Sequence, residues 1–415
     1  MHLTHLSLTS FRSFARLDVD LPRRVVLLTG NNAQGKTSVL EAVYFLAAFT
    51  SFQTHTDRQL INFIEARKNL AVGRLVADYK RGSTNHRLEV RLVLEAVGAT
   101  GQRLRKEVLL DGVKRPPAEI IGHFNAVIFV PQMAQIIEGG PEERRRYLNL
   151  ALSQTVAGYA RQLSEYGEAL TQRNALLKLL AENGGDTSQL DYWDETLSRN
   201  GAAIIQRRIE AVKEIEKLAA RIHRELTRGV EVLRLSYQPA YDPLPQPEGQ
   251  MTMPLTTSVH RDGFSEEAIR KGFLEALKAQ RGEEIRRGVT TLGPHRDELR
   301  FLANGIDLSD YGSRGQTRTA LLALKLAEVE WMKSKTGQWP VLLLDEVLAE
   351  LDTQRRLDLL AYLDHIEQAL LTTTDLNLFS PDFVEKTQVW DVSAGSVKAR
   401  EETVKEGKHA RQTSE

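Results

Sequence analysis

"VVLLTGNNAQGKTSVLEAVYFL", residues 25–46, carries an unbroken apolar run into a helix-spaced one through a glycine-rich turn. Four apolar residues at 25–28 read as a buried strand, and residues 36–48 read as a helix. Between them stand Gly30, four residues, and then Gly35-Lys36-Thr37. This is the spacing of a phosphate-binding loop, in the strand-turn-helix context that gives the pattern its meaning. Glycine lets backbone N–H groups turn inward on phosphate oxygens, and the helix N-terminus adds the positive end of its dipole. Gly30, Asn31, Asn32, Ala33, Gln34, Gly35, Lys36, Thr37 and Ser38 therefore form the expected nucleotide cradle. Lys36 is the residue to reach the β and γ phosphates, and the Thr37 hydroxyl is the expected Mg2+ ligand.

A second strand-like run, "WPVLLLDEVLAELD" at 339–352, delivers Asp345 and Glu346 after four apolar residues. Carboxylates at the C-terminal end of a buried strand are where an α/β sheet builds its ligand site. Asp345 would hold Mg2+ directly or through water, and Glu346 would polarise an attacking water. A third stretch, "YGSRGQTRTALLALKLAE" at 311–328, begins as a small polar turn and continues as a helix, since Ala320, Leu321, Leu324 and Ala327 recur at helical spacing. What a Ser-Arg-Gly-Gln turn does at the mouth of this helix stays open at this point.

Outward from these stretches, Leu6, Leu8, Leu17, Val19 and Leu21 alternate as strands do, and strand-like segments return between about 70 and 111 with Asp111-Gly112 as a hairpin turn. No proline occurs between Pro141 and Pro239, and Leu, Ala, Glu, Arg and Lys dominate there, as long helices require. Leu163, Tyr166, Leu170, Asn174 and Leu177 step by three and four, as do Ile205, Ile209, Val212, Ile215, Leu218 and Ile222. The stretch "AENGGDTSQ" at 181–189 would turn the chain between two such helices, giving a hairpin with an arm roughly 40 Å long. Five prolines at 239–254 mark a linker, a helix is expected at 265–285, and a disordered tail is expected from 396. The organisation is thus 1–140 as the N-terminal part of an α/β head, 141–285 as a helical insertion, 286–395 as the rest of the head, and 396–415 as the tail.

Bulk properties restrict the function classes. A chain of 415 residues suggests two or three domains, and 55 basic against 55 acidic residues leave no net field, so nucleic-acid binding must come from local clusters. No cysteine is present, which excludes disulfides, thiolate nucleophiles and cysteine metal sites. No signal-peptide order and no long apolar run appear, so a cytoplasmic protein is expected.

A phosphate loop near 30, a capped helix at 313 and an acidic strand end at 345 form an ordered set that resembles the ABC-type ATPases of the SMC and Rad50 class. Within that class the chain is similar to the RecF family, through "SFRSF" at 10–14, the phosphate loop, "PEERRRYLN" at 141–149, "TQRNALLK" at 171–178, "TLGPHRDEL" at 291–299, and the two later motifs. The resemblance implies an ABC-type ATPase head that binds ATP and Mg2+ and hydrolyses ATP slowly. It implies a homodimer formed on ATP binding, in which Ser313, Gly315 and Gln316 contact the γ-phosphate held by the other subunit's loop. Asp352 matches the D-loop near that interface, Gln132 the Q-loop that contacts Mg2+ or water, and Arg12 an N-terminal arginine near the nucleotide. Arg12 reads equally well as a surface arginine, and His295 as a structural residue of its turn.

The histidine that many ABC ATPases carry after the next strand is replaced here by Thr372, Thr373 and Thr374. The resemblance further implies double-stranded or gapped DNA as ligand, RecO and RecR proteins as partners, and loading of a recombinase in DNA repair. Candidate phosphate contacts are Arg103, Arg105, Lys106, Lys114, Arg115, residues 144–146, Arg286 and Arg287, although "PEERRRYLN" also reads as a helix start with a solvated basic face. An SMC or Rad50 protein with long arms, or a small-molecule kinase or GTPase, are the alternatives. The short hairpin opposes the first and the signature turn the second.

Overall fold

The computed structural model describes residues 1–54, 56–97, 101–244, 261 and 263–400. Alternation in the first residues produces a hairpin, β1 (His2–Phe11) and β2 (Phe14–Asp20), followed by β3 (Val25–Thr29) and α1 (Lys36–Ala48). Next come β4 (Leu70–Arg81), β5 (Thr84–Val97), β6 (Gly101–Leu110) and β7 (Val113–Arg115). These join the first hairpin in an antiparallel sheet of order β2-β1-β4-β5-β6-β7. Asp111 and Gly112 make the predicted two-residue turn with φ of 51° and 81°, and Leu110 pairs with Val113 across it.

After β8 (Ala126–Phe129) the proline-free region forms α2 (Pro141–Thr155), α3 (Tyr159–Asn183) and α4 (Asp191–Leu226). Gly184 and Gly185, at φ of 65° and 128°, turn the chain after α3 as the sequence suggests. The second arm is longer than its apolar periodicity indicates: α4 has 36 residues, roughly 54 Å. Its extra N-terminal turns begin after a short turn at Thr187–Leu190, where polar residues hide the helix from a periodicity test.

Helices do not fill the whole proline-free region, because β9 (Leu233–Gln238) is a strand. Of the proline-rich stretch at 239–254, positions 245–254 lie outside the described residues. The chain continues with α5 (Glu266–Arg287), β10 (Glu298–Ala303) and β11 (Ile306–Asp307), the two strands joining β9 in a small antiparallel sheet. It ends with α6 (Arg314–Thr336), β12 (Val341–Asp345), α7 (Thr353–Leu363), β13 (Ala369–Thr373), β14 (Gln388–Ser393) and β15 (Ser396–Ala399). The expectation of disorder from 396 is corrected by β15, which pairs with β14 through Ser393 and Ser396. A stretch with one valine carries too little apolar signal to announce an edge strand. Residues 401–415 of the expected tail lie outside the described residues.

The functional end of the molecule is set by a third sheet, of order β15-β14-β3-β13-β12-β8, in which the five strands from β14 to β8 run parallel. Its strands are apolar on both faces because both are covered. Val26, Leu28, Ile128, Leu343 and Leu370 pack toward α1 and the antiparallel sheet. Leu27, Val127, Leu342, Leu344 and Leu371 pack toward the helices. A one-residue slip in any strand would exchange these two sets, so the register is strongly specified.

The helical region is anchored to the head by buried charge. Arg208 of α4 donates to Asp297 Oδ2 and the Pro294 carbonyl, both at 2.6 Å, and to Asn149 Oδ1 at 2.9 Å. The Tyr237 hydroxyl also donates to Asp297. Arg173 of α3 donates to Asp194 at 2.6 Å and meets Glu284 of α5 at 2.7 Å, all three side chains being fully buried. "TLGPHRDEL" is thus the knot where helices and sheet meet. His295 belongs to it: the Tyr166 hydroxyl lies 2.7 Å from Nδ1, and Nε2 lies 3.2 Å from the Thr290 carbonyl oxygen. That carbonyl only accepts, so Nε2 carries the proton and Nδ1 accepts from Tyr166.

Removing one partner of a buried pair strands the other charge. Arg208→Ala should therefore lower unfolding free energy by about 3–5 kcal/mol, read from urea unfolding. Burial lowers the His295 pKa from 6.5 to about 4. The unfolded chain then binds the extra proton first, so stability falls as pH drops from about 6.5 to 4 and levels off below that. His295→Gln should flatten this part of the stability profile relative to the parent.

Candidate functional site

At the C-terminal edge of the parallel sheet, β3, β13 and β12 lie side by side, with Thr373 paired to Thr29 and Thr372 to Asp345. The turn after β3 and the carboxylates after β12 therefore meet, although their sequences are 308 residues apart. Thr37 Oγ1 lies 2.9 and 3.0 Å from the two Asp345 carboxylate oxygens, and Thr372 Oγ1 donates to Asp345 Oδ1 at 2.7 Å. Burial raises the Asp345 pKa, while the hydrogen bonds from Thr372 and Thr37 oppose that rise. A hydroxyl and a carboxylate are hard oxygen donors suited to Mg2+, which takes one or two protein ligands and completes its shell with substrate oxygens and water. Consistent with that, no group of three or more His, Asp or Glu among the described residues is placed to form an all-protein cage.

The loop has the conformation that its glycines permit. Gly30 has φ of 145° and Gly35 of 107°, and a Cβ on Gly30 would stand 2.3 Å from the Val392 carbonyl oxygen. Ala33 also adopts positive φ, and Gln34 Oε1 accepts from the Ala394 N–H at 2.8 Å, tying the loop to the β14–β15 turn. Lys36 Nζ donates to the Gly30 and Asn31 carbonyls at 2.8 and 3.1 Å and lies 3.4 Å from Glu346. Glu346 itself has φ of 52°, unusual for a residue with a side chain, and its N–H donates to Thr372 Oγ1 at 3.0 Å. Such strain persists only where the surroundings impose it, and it turns the carboxylate toward the lysine.

These groups open onto a cavity of about 390 Å³ lined by Arg12, Asn32, Ala33, Gly35, Lys36, Thr37, Ser38 and Glu346, together with Ser13, Gln53, Gln59, Ile61 and Phe63. Arg12 is thus at the cavity and not on open surface: its Nε and Nη2 donate to Glu41 at 2.7 and 2.6 Å. Gln132 does not line this cavity. It lies in the short turn Pro131–Ala134 and faces a separate pocket with Tyr44, Arg146 and Glu328.

Ser313 is the N-cap of α6 with a complete capping box. Its hydroxyl accepts from the Gln316 N–H at 3.2 Å, and the Gln316 side chain accepts from the Ser313 N–H at 3.0 Å. Gln316 Nε2 also donates to Glu231 at 2.8 Å. Ser313, Arg314 and Gly315 are exposed, and none of the three lines the loop's cavity. Neither Gly312 nor Gly315 has positive φ. A Cβ on Gly315 would lie 4.0 Å from the Ser313 hydroxyl oxygen, at ordinary contact distance, so this glycine is not there to bend the helix mouth. Asp352 caps α7 by accepting from the Arg355 N–H at 2.9 Å, and like Ser313 it stands apart from the cavity lining.

The basic clusters divide. Arg144 is buried and bidentate to Glu298, Arg145 donates to the Asp297 carbonyl, and Arg146 to the Ser51 carbonyl. The solvated basic face expected of "PEERRRYLN" is corrected accordingly, because long cationic side chains on this helix reach carbonyls and acids of the neighbouring turns. Arg105 and Lys114 share Glu107, Lys106 meets Asp57, and Arg286 and Arg287 meet Glu283.

Residues 2–389 match the family described as RecF/RecN/SMC N terminal domain. A DNA replication and repair protein RecF from Chloroflexus aurantiacus is 38% identical over 407 residues, 96% of this chain and 99% of the relative. The chain belongs to the RecF family. A RecF from Halalkalibacterium halodurans is 34% identical over 402 residues, spanning 96% of this chain and all of that one. Among solved structures, one of the recombination mediator RecF with ATP superposes with a TM-score of 0.81 at 28% identity, covering 96% and 98% of the two chains. An SMC head bound to the C-winged helix domain of ScpA, with a TM-score of 0.52 at 14% identity, shares the fold. The RecF-family head is therefore the ABC-type fold expected from the motifs.

Glu41, Ser51 and the bridging role of Thr372 are absent from the motif reading. Glu41 sits in an apolar helix and carries no signal in one sequence beyond being a charge at a core-facing position. Replacing Gly30 with alanine would press a Cβ against Val392 and force an unfavourable φ. Gly30→Ala should therefore weaken ATP binding at least about tenfold, measured by calorimetry on the folded variant.

Proposed function

We propose that this chain is an ATP-dependent DNA clamp of recombinational repair, which dimerises on ATP, holds duplex or gapped DNA and helps load a recombinase. The observation that carries the reading is the exposed helix mouth at Ser313, which has a capping box and stands apart from the lining of the chain's own phosphate-loop cavity. A helix N-terminus with a hydroxyl and an exposed glycine suits an anion, and a second subunit's nucleotide supplies one. Two copies paired head to tail would then enclose two nucleotides, with Gly315, Gln316 and Asp352 at the joint.

Within each site, residues 30–38 and Arg12 bind the phosphates, and Lys36 neutralises their charge. Thr37 and Asp345 hold Mg2+, which screens charge building on the phosphate oxygens when it is bound. Glu346 is the base that orients and polarises water, and hydrolysis is slow. The head comprises 1–140 and 286–395, with 141–285 as a helical insertion whose α3–α4 hairpin is too short for an SMC-type arm. The solved RecF structures are described as belonging to the RecFOR pathway, which supports RecO and RecR as partners, and the cytoplasm is the setting we propose. No helix among the described residues is long and apolar enough to cross a membrane.

Light scattering with and without ATP tests the composite site: Ser313→Arg should abolish an ATP-driven monomer-to-dimer shift, whereas Glu346→Gln should dimerise and lose roughly 100-fold or more in turnover. Unchanged dimerisation in the arginine variant would refute the shared site. Normal turnover in the glutamine variant would remove Glu346 from the chemistry.

A further inference from the structure

We infer that Glu41 is a positioning residue of the nucleotide site, holding Arg12 on one flank and residues 51–54 on the other so that both face a bound triphosphate. The inference rests on the nucleotide reading above and adds a residue to it. Glu41 lies one helical turn beyond Thr37 on α1, on the side turned from solvent, and its side chain is fully buried. A carboxylate there must be paired and hydrogen-bonded to persist.

Three bonds satisfy it. Arg12 presents a fork, Nε to Oε2 at 2.7 Å and Nη2 to Oε1 at 2.6 Å, and the Ser51 hydroxyl donates to Oε1 at 2.5 Å. Fork-shaped pairing fixes the plane of a guanidinium, which a single contact does not. The backbone of Arg12 is fixed as well, at φ of 52°, by its N–H to the Leu60 carbonyl at 2.8 Å and its own carbonyl accepting from Asn62 at 2.7 Å. Nη1 donates to the Gln59 carbonyl at 3.1 Å. Of the five N–H groups of a guanidinium, these bonds engage three, and two remain for an anion in the cavity that Arg12 lines.

On the opposite flank the Ser51 hydroxyl oxygen accepts from the Gln53 and Thr54 N–H groups at 2.9 and 3.1 Å, and Gln53 lines the same cavity. One buried carboxylate therefore ties the β1–β2 turn and the segment after α1 to the helix that begins at the phosphate loop. A buried ion pair adds little stability over an apolar pair of equal volume, so stability alone does not account for it. Its geometric product is an arginine aimed at the place where phosphate charge would sit.

A double-mutant cycle separates positioning from general support. ATP dissociation constants and melting temperatures would be measured for the parent, Glu41→Gln, Arg12→Ala and the double variant. Each single variant should bind ATP about tenfold more weakly, and Glu41→Gln should cost clearly less in the Arg12→Ala background than in the parent, what remains there being the loss of the flank at 51–54. Unchanged affinity in Glu41→Gln, or the same fold-loss in the Arg12→Ala background, would overturn the inference. Should Glu41→Gln fail to fold, Glu41→Asp, which keeps the charge but is one methylene shorter, takes its place with the same outcomes. A parent chain that does not bind ATP refutes the nucleotide reading itself, a result distinct from additivity in the cycle.

Discussion

The hydrogen bond between Thr37 and Asp345 depends on three parallel strands ending at one level. The hydroxyl comes from the first turn of α1, which follows β3, and the carboxylate from the end of β12, with β13 between β3 and β12. Parallel pairing sets that level, and the pairing in turn is held by two apolar faces that no strand can exchange by slipping. Thr372 on the middle strand completes the arrangement by binding both the Asp345 side chain and the Glu346 N–H. Thr372 thereby holds the Asp345 carboxylate and the backbone of Glu346 in place.

Charge buried away from the nucleotide has a different task. Arg173 and Arg208 reach from the two helices of the hairpin to acids on α4, on α5 and in the turn before β10, so the helical region is fastened at a few directional points. Breaking any one of them would leave an uncompensated buried charge. The same logic explains why a basic run on α2 is drawn inward: Arg144 is bidentate to Glu298, and Arg145 binds the carbonyl of Asp297 in the same turn as Arg208. His295 has its ring nitrogens satisfied by Tyr166 and Thr290, which makes it part of that fastening, and its burial there lowers its pKa.

The cap at Ser313 meets the same physical demand as the phosphate loop, since both helix mouths present N–H groups with no intrahelical partner. In α1 those groups open on a cavity within the chain, and in α6 they open outward, partly satisfied by the capping box. Gln316 is bound to Glu231, which lies between α4 and β9, so the signature is joined to the helical region as well as to its own helix.

Much was legible from residue order alone. The phosphate loop, the acidic strand end and the capped helix are local patterns whose chemistry depends on neighbours in sequence. Strand and helix periods around them are likewise local, which is why β3, α1, β12 and α6 follow directly from spacing. Contacts between distant segments were not legible. Glu41 looks like any glutamate in a helix until Arg12 and Ser51 are brought to it, and Arg144 looks like a solvated cation until Glu298 arrives from 154 residues away. The length of α4 and the strand at 396–399 also escaped, because polar helix turns and short edge strands carry little hydrophobic signal. Sequence determined which chemistry each segment can perform. Tertiary structure decided which segments meet, because long-range pairing of charge and apolar surface is a property of the folded chain as a whole.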